Sequence, residues 1–176
     1  MGESTRFIPE KLVIGVLSTR SNRHGELISA IEKDFGVTEK IYGPYPFTFT
    51  TYYTEEMGSD IERYFYVMKE LVSPDALSDI KLETNRIEQT FMEDGKRKIN
   101  LDPGILSADR FILATTKGRG HRIPLQKGIY GEITLMYMCK EFQILPWTYT
   151  DFATDTYRCL LKEIRKAYLS QLRQHS

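Results

Sequence analysis

The chain has 176 residues, 41% of them hydrophobic and 27% charged, with 24 basic and 24 acidic residues that cancel to no formal net charge. This length can bury the core of one domain without metals or disulfides, and the charge balance argues against a protein that mainly grips a nucleic-acid backbone. No stretch approaches the roughly 20 apolar residues that span a membrane, and no apolar signal-peptide run opens the chain. We therefore expect a cytoplasmic protein with a disordered segment at residues 1–10 and a single α+β domain at residues 11–174.

The first two predicted elements are a strand and a helix. The apolar run KLVIGVLST at residues 11–19 predicts a buried central strand. In the following HGELISAIEKDFG, Leu27, Ile31 and Phe35 share one helical face, and Gly36 stands where a C-terminal cap belongs.

The next segments predict a hairpin and a second helix. Phe47 and Phe49 alternate with threonines, which predicts a half-buried strand. Its expected partner is ERYFYVMKELV at residues 62–72, where a helix is the alternative because Glu, Met, Lys and Leu favour helices. Ser73 is the expected N-cap of a helix that ends at Asp94–Gly95.

The second half of the chain predicts more strands than helices. RKINLDPGIL is expected to form a strand broken at Pro103–Gly104, and SADRFILATT forms either a strand or a short capped helix. HRIPL, GIYGEITLMYM and EFQILPW are typical of a closing antiparallel meander, and a terminal amphipathic helix covers residues 153–174. This order predicts an α+β fold: a ferredoxin-like βαββαβ core extended by a C-terminal antiparallel meander and a terminal helix, with the helices on one face of the sheet.

Familiar catalytic signatures are absent from the sequence: there is no Walker A loop, no G-x-G-x-x-G after the first strand, no H-E-x-x-H and no G-x-S-x-G. The two cysteines, Cys139 in a predicted strand and Cys159 in a predicted helix, lack metal-binding spacing and are expected to be buried, inert thiols. With only His24, His121 and His175 available, we expect no histidine-based metal centre, although carboxylates could hold a hard cation.

The richest candidate site is TTKGRGHR at residues 115–122. Hydroxyl, ammonium and guanidinium donors are what a phosphate or carboxylate ligand needs. The loop offers Thr116, Lys117, Arg119 and Arg122. His121 adds an imidazole, the group that transfers protons near neutral pH, and is the best general acid or base if the protein is an enzyme. The alternative is a solvated loop whose charges face water.

Two carboxylates outside this loop complete the candidate site. If Asp102 in NLDPG faces the basic loop, it could orient His121 or Lys117 and would then be a catalytic residue together with His121. The alternative is that Asp102 only forms an ordinary turn before proline. Glu132 in YGEITLMY shares one side of its strand with Thr134, and that side faces either the same cleft or solvent. The polar residues Lys81, Asn85 and Glu88 of the second helix are interpreted as a solvated face.

Five linked motifs carry a resemblance to a known family: PYPFTFTTYYTEEMG, KLETNRIE, KINLDPGIL, ATTKGRGHRI and GIYGEITLMY, followed by WTYTDF and a terminal helix. Over about residues 10–172 the chain resembles the prokaryotic family known as domain of unknown function 4416. That family has an acidic residue near Thr48 or Thr51, where this chain carries threonine, and this departure argues against a carboxylate site there. It implies a single cytoplasmic domain and carries no activity or catalytic residue.

The leading functional hypothesis is the binding of an anionic small molecule, such as a nucleotide or another phosphate ester, by the basic loop. The sequence names no cofactor and does not decide whether the protein is an enzyme. The alternative is a non-catalytic module for protein interaction or self-association as a homodimer, which the many tyrosines and Trp147 would serve. RNA binding ranks third, because neither the neutral charge nor any RNP-like motif favours it.

Overall fold

The computed structural model describes residues 2–174, so His175 lies outside the described part of the chain. In chain order the helices are α1 (His24–Phe35), α2 (Thr54–Met57), α3 (Leu77–Thr90) and α4 (Asp155–Gln174). The strands are β1 (Glu10–Ser18), β2 (Thr38–Pro46), β3 (Glu62–Val72), β4 (Ile99–Leu106), β5 (Arg110–Thr115), β6 (Ile123–Pro124), β7 (Tyr130–Met138) and β8 (Glu141–Ile144). Short 3₁₀ turns precede α1 and α3.

Within residues 2–174, eight strands form one antiparallel sheet in the order β2-β3-β1-β4-β5-β7-β6, with β8 also paired to β7. The α+β class and the C-terminal helix are therefore confirmed. The predicted meander is not, because β5 pairs with one edge of β7 and β6 and β8 share the other edge. β1 is central, and Leu12, Val13 and Ile14 are fully buried in it because both its edges are paired and both its faces are covered.

Helices cover both faces of the sheet, so the prediction of helices on one face is wrong. On one face, Ile14 packs in a cluster with Leu27 of α1 and Ile80 of α3. On the other face, Val13 packs in a cluster with Leu161 of α4. Because β1 is buried on both sides, it reads as an unbroken apolar run rather than an alternating one.

The strand predicted around Phe47 and Phe49 is also wrong. β2 lies earlier, at Thr38–Pro46, where Gly and Pro within TEKIYGPYP hide the strand pattern. Phe47 instead packs in a small cluster with Met57 and Ile61, and the loop that follows it leads into α2. Alternation without a sheet neighbour to pair with does not make a strand.

β4 runs unbroken through Pro103–Gly104, contrary to the predicted break. β5 pairs with β4 only at Gly104–Leu106 among the described residues, so Pro103 lies where that edge of β4 has no neighbour and a missing N–H costs little. The second helix ends at Thr90 rather than at Asp94, and Ser73 makes no side-chain cap hydrogen bond.

Both cysteines are exposed, so the prediction of buried thiols is wrong. Cys139 lies in the turn between β7 and β8 with a φ of 52°, next to Lys140 at 65°. Cys159 lies on the outer side of α4, whose buried stripe instead contains Leu160, Leu161 and Ile164. Within residues 2–174, no helix is long and apolar enough to cross a bilayer.

Candidate functional site

The sheet opens between β4 and β5. Gly104 pairs with Leu113, and beyond that pair the two strands part, since within the described chain Ile99–Pro103 pairs with β1 alone and Ala114–Thr115 pairs with β7. The opening is a gap in the sheet, rimmed by the first half of β4 and the end of β5.

A cavity of about 850 Å³ occupies this opening. Its walls come from β3, α3, β4, β7 and the segment before α4, and include Arg63, Lys81, Glu88, Asn100, Asp102, Glu132, Asp151 and Phe152. Its exposed rim comes from the loop after β2 and the loop after β5, and includes Phe49, Tyr52, Thr116, Lys117 and Arg119. The volume falls within the roughly 300–1,000 Å³ of typical small-molecule sites.

Arg63 is the buried cation of one wall. It is only 4% exposed, with Nη1 3.3 Å from Oδ2 of Asp102 and Nη2 3.0 Å from Oδ2 of Asp151. Burial alone would lower the pKa of Arg63, but the charges of Asp102 and Asp151 outweigh burial and raise it. Burial also raises the pKa of Asp151, in spite of the opposing charge of Arg63.

The guanidinium of Arg63 reaches Asp102 by lying over Gly15 of β1. An added β-carbon at Gly15 would lie 2.8 Å from Nη1 of Arg63. The glycine in KLVIGVLS therefore leaves the space through which a side chain of β3 contacts a side chain of β4 across the strand between them.

The wall formed by α3 corrects the prediction of a solvated helix face. Lys81 and Glu88 are buried, and both bind the backbone of Leu101 in β4. Nζ of Lys81 donates to the Leu101 carbonyl at 2.7 Å, and Oε1 of Glu88 accepts from the Leu101 N–H at 2.7 Å. Because β5 does not pair with Leu101, α3 supplies the hydrogen bonds that a neighbouring strand would otherwise make.

Two further charges adjoin this wall. Arg97 donates from Nε and Nη2 to the two carboxylate oxygens of Glu56, at 2.8 and 2.6 Å. The hydrogen bond from Arg97 lowers the pKa of Glu56, whereas burial raises the pKa of Glu88. Nη1 of Arg97 also donates to Oδ1 of Asn100 at 2.9 Å, which fixes the orientation of that amide.

Arg122 closes the basic loop upon itself. Its Nε donates to Oε2 of Glu132 at 2.7 Å, its Nη1 to the carbonyl of Lys117 at 2.6 Å and its Nη2 to the hydroxyl of Tyr149 at 2.7 Å. These bonds use three of the five N–H groups of Arg122 and hold the loop in place.

His121 is also engaged by the protein. Its Nε2 lies 2.9 Å from the same oxygen of Glu132, and its ring stacks on Trp147 with centroids 5.1 Å apart and an interplanar angle of 11°. Among the described residues that line the cavity, His121 is missing, whereas Asp102 and Lys117 both line it. Asp102 is paired with Arg63 rather than with His121 or Lys117.

Lys117 and Arg119 are the uncompensated cations of the cavity. Of its six cationic side chains, these two alone have no carboxylate partner within the described chain; the paired four are Arg63, Lys81, Arg97 and Arg122. Nζ of Lys117 donates to the hydroxyl of Tyr52 at 2.9 Å and lies 4.5 Å from the centre of that ring. This hydrogen bond from Lys117 lowers the pKa of Tyr52.

Three buried polar atoms of the cavity walls have no hydrogen-bond partner within the described chain: Nε of Arg63, Nδ2 of Asn100 and Oε1 of Glu132. The parent residues are 4%, 4% and 1% exposed. Buried polar groups are nearly always satisfied in native proteins, and each of these three exceptions belongs to a residue that lines the same cavity.

Sequence reasoning missed Arg63, Glu88 and Asp151 as residues of the site. One signal was available. Arg63 directly precedes the apolar run YFYVM within the same predicted strand, and a charge in a buried strand needs a buried partner. Asp151 and Glu88 gave no comparable signal, because their burial depends on tertiary contacts with β3 and β4.

The described residues form no metal-binding cluster. Within residues 2–174, no group of three or more His, Cys, Asp or Glu side chains converges in a way that could hold a metal ion. The carboxylates of the cavity are instead paired with arginine and lysine, which would compete with a cation for the same oxygens.

These features define the class: an α+β protein whose single antiparallel sheet opens onto a charged cavity. The sequence profile of the family described as domain of unknown function (DUF4416) matches residues 8–168, and the chain belongs to that family. Comparison with curated proteins finds no match, and comparison with solved structures finds none either.

Proposed function

We propose that this protein binds a small anionic molecule, such as a phosphate ester, in the cavity between β4 and β5. The observation that carries the proposal is the pair of uncompensated cations at the exposed rim, Lys117 and Arg119, beside a cavity whose other charges are paired. An anion at the rim would pair with the charges of Lys117 and Arg119, and Thr116 adds a hydroxyl donor.

The loop is built to present these cations. Arg122 and Glu132 anchor its base, so Lys117 and Arg119 project from a fixed backbone rather than from a freely moving loop. A preorganised donor set loses less entropy on binding than a mobile one. Tyr52 supports the ammonium of Lys117 without neutralising it.

The test is a thermal-shift panel of inorganic phosphate, phosphorylated metabolites and nucleotides against the wild-type protein and two variants, Lys117→Ala and Arg119→Ala. Each variant removes one charge-assisted contact, so we expect affinity to fall roughly tenfold or more. Lys166→Ala, an exposed lysine of α4 outside the cavity lining, is the matched control and should respond like the wild type. Identical responses of wild type and Lys117→Ala to every ligand would contradict the proposal.

We further propose that the first four sheet strands form a ferredoxin-like unit. The support is the chain order β1-α1-β2-α2-β3-α3-β4, in which α2 is a single turn, together with the sheet order β2-β3-β1-β4. In this order α1 and α3 each connect strands that do not neighbour each other. On this interpretation β5 to β8 extend the sheet beyond β4, and the cavity lies at the junction between the unit and its extension.

A further inference from the structure

The inner cavity carries many carboxylates. Five line it, namely Glu56, Glu88, Asp102, Glu132 and Asp151. Each is paired with a cation of the walls, so the interior beyond the rim has no free positive charge to offer. The inner walls thus carry five carboxylates against four cations, which disfavours a second anionic group of a ligand there.

The unpaired atoms of the inner walls include both hydrogen-bonding types. On β4, Nδ2 of Asn100 is a donor without an acceptor, fixed in direction because Arg97 binds the other atom of the amide. On β7, Oε1 of Glu132 is an acceptor without a donor, since Arg122 and His121 both use Oε2. A hydroxyl group donates one hydrogen bond and accepts others, so hydroxyls satisfy both kinds of wall atom.

Aromatic rings flank the polar walls. Phe49, Tyr52 and Tyr149 are exposed members of the lining, and Tyr53 packs edge-on against Tyr52 with ring centroids 5.0 Å apart. Such rings offer flat apolar surface to the carbon-bound hydrogens of a ring-shaped ligand.

From this arrangement we infer that the ligand is a phosphorylated sugar, with its phosphate at Lys117 and Arg119 and its hydroxylated ring in the inner cavity near Asn100 and Glu132. The inference rests on the proposed function, because the anion at the rim sets the depth at which the ring lies. Sugar phosphates and nucleotides share this chemistry, and the experiment separates them.

The experiment is titration calorimetry on the full chain with four phosphates: inorganic phosphate, pentyl phosphate, ribose 5-phosphate and a nucleoside 5′-monophosphate. Pentyl phosphate matches ribose 5-phosphate in carbon number and lacks its hydroxyls. Two or more hydrogen bonds to the ring should make ribose 5-phosphate bind at least about tenfold more tightly than pentyl phosphate. Still tighter binding by the nucleotide would identify nucleotides as the source of the sugar phosphate.

The outcomes distinguish the two proposals. If none of the four ligands binds, the proposed function fails and this inference with it. If inorganic phosphate binds while ribose 5-phosphate and pentyl phosphate bind equally, the anion site stands and the sugar inference is overturned. A nucleotide that binds more tightly while ribose 5-phosphate does not would assign the inner cavity to the base, and would also overturn it.

Asn100→Ala supplies a second, independent readout. The variant removes the donor Nδ2 and keeps Lys117 and Arg119, so the preference for ribose 5-phosphate over pentyl phosphate should fall several-fold. An unchanged preference would contradict the place given to Asn100. The comparison of ligands in the wild-type protein decides the inference even if this variant does not fold.

Discussion

The guanidinium of Arg63 lies over the bare backbone of Gly15, where an added β-carbon would be 2.8 Å from Nη1. This close approach lets a cation of β3 contact Asp102 of β4 across the central strand. Because Arg63 also holds Asp151, one missing side chain in β1 permits an ion-pair arrangement that joins three segments of the cavity wall.

Gly15→Ala should therefore destabilise the protein. The new methyl group would displace the guanidinium of Arg63 from Asp102, and weakening that buried charged contact should cost about 1–3 kcal/mol in the free energy of unfolding. Gly25→Ala is the matched control, because it lies in α1 with nothing within 4 Å of the added carbon, and alanine favours helices. Urea denaturation checks both variants; equal free energies of unfolding for the two would contradict the role of Gly15.

Asp151 should give the protein a measurable pH dependence. Burial raises the pKa of Asp151 in the folded state above its ordinary value of 3.8, so the folded chain retains this proton to higher pH than the unfolded chain does. The stability that this bound proton adds to the folded state is fully present below about pH 4. It is lost as the pH rises through the folded-state pKa of Asp151.

Asp151→Asn removes this titration. Denaturation of wild type and variant at a series of pH values should show that the wild type loses free energy of unfolding relative to the variant as the pH rises above about 4. A difference between the two proteins that stays constant across that range would refute the assignment. Asparagine keeps Oδ1, so the hydrogen bond from the Phe152 N–H can persist in the variant.

The contact between Lys117 and Tyr52 should be visible in a tyrosine titration. The hydrogen bond from Lys117 lowers the pKa of Tyr52 below its ordinary value of 10.0. Near-ultraviolet absorbance should therefore show a tyrosine that ionises below that value, absent in Tyr52→Phe and shifted upward in Lys117→Ala. If Lys117→Ala leaves the titration unchanged, the two side chains do not form this contact in solution.

The sequence predicts the elements that its periodicity describes and misses those that depend on neighbours. The buried run of β1 and the amphipathic pattern of α4 are legible because each element is covered in one consistent way. β2 is obscured by its Gly and Pro residues, and a helix on each face of the sheet is a property of chain path that no local pattern encodes.

The candidate site divides along the same line. A glycine-spaced basic loop stands out in the sequence, and Lys117 and Arg119 do lie at the rim of the cavity. Residue spacing does not reveal the roles of other residues of the site. Arg122 anchors the basic loop through Glu132, and Glu88 of α3 is buried because β5 does not pair with the backbone of Leu101. The self-association hypothesis and a catalytic role for His121 stay predictions.

The central claim is that the opening between β4 and β5 is a ligand site with its anion at Lys117 and Arg119. The most direct measurement is an NMR titration of the isotope-labelled protein with inorganic phosphate, following every backbone amide. The account predicts saturable shifts concentrated at residues 115–120, and their loss in Lys117→Ala. Saturable shifts centred away from the cavity, or no response at residues 115–120, would contradict it.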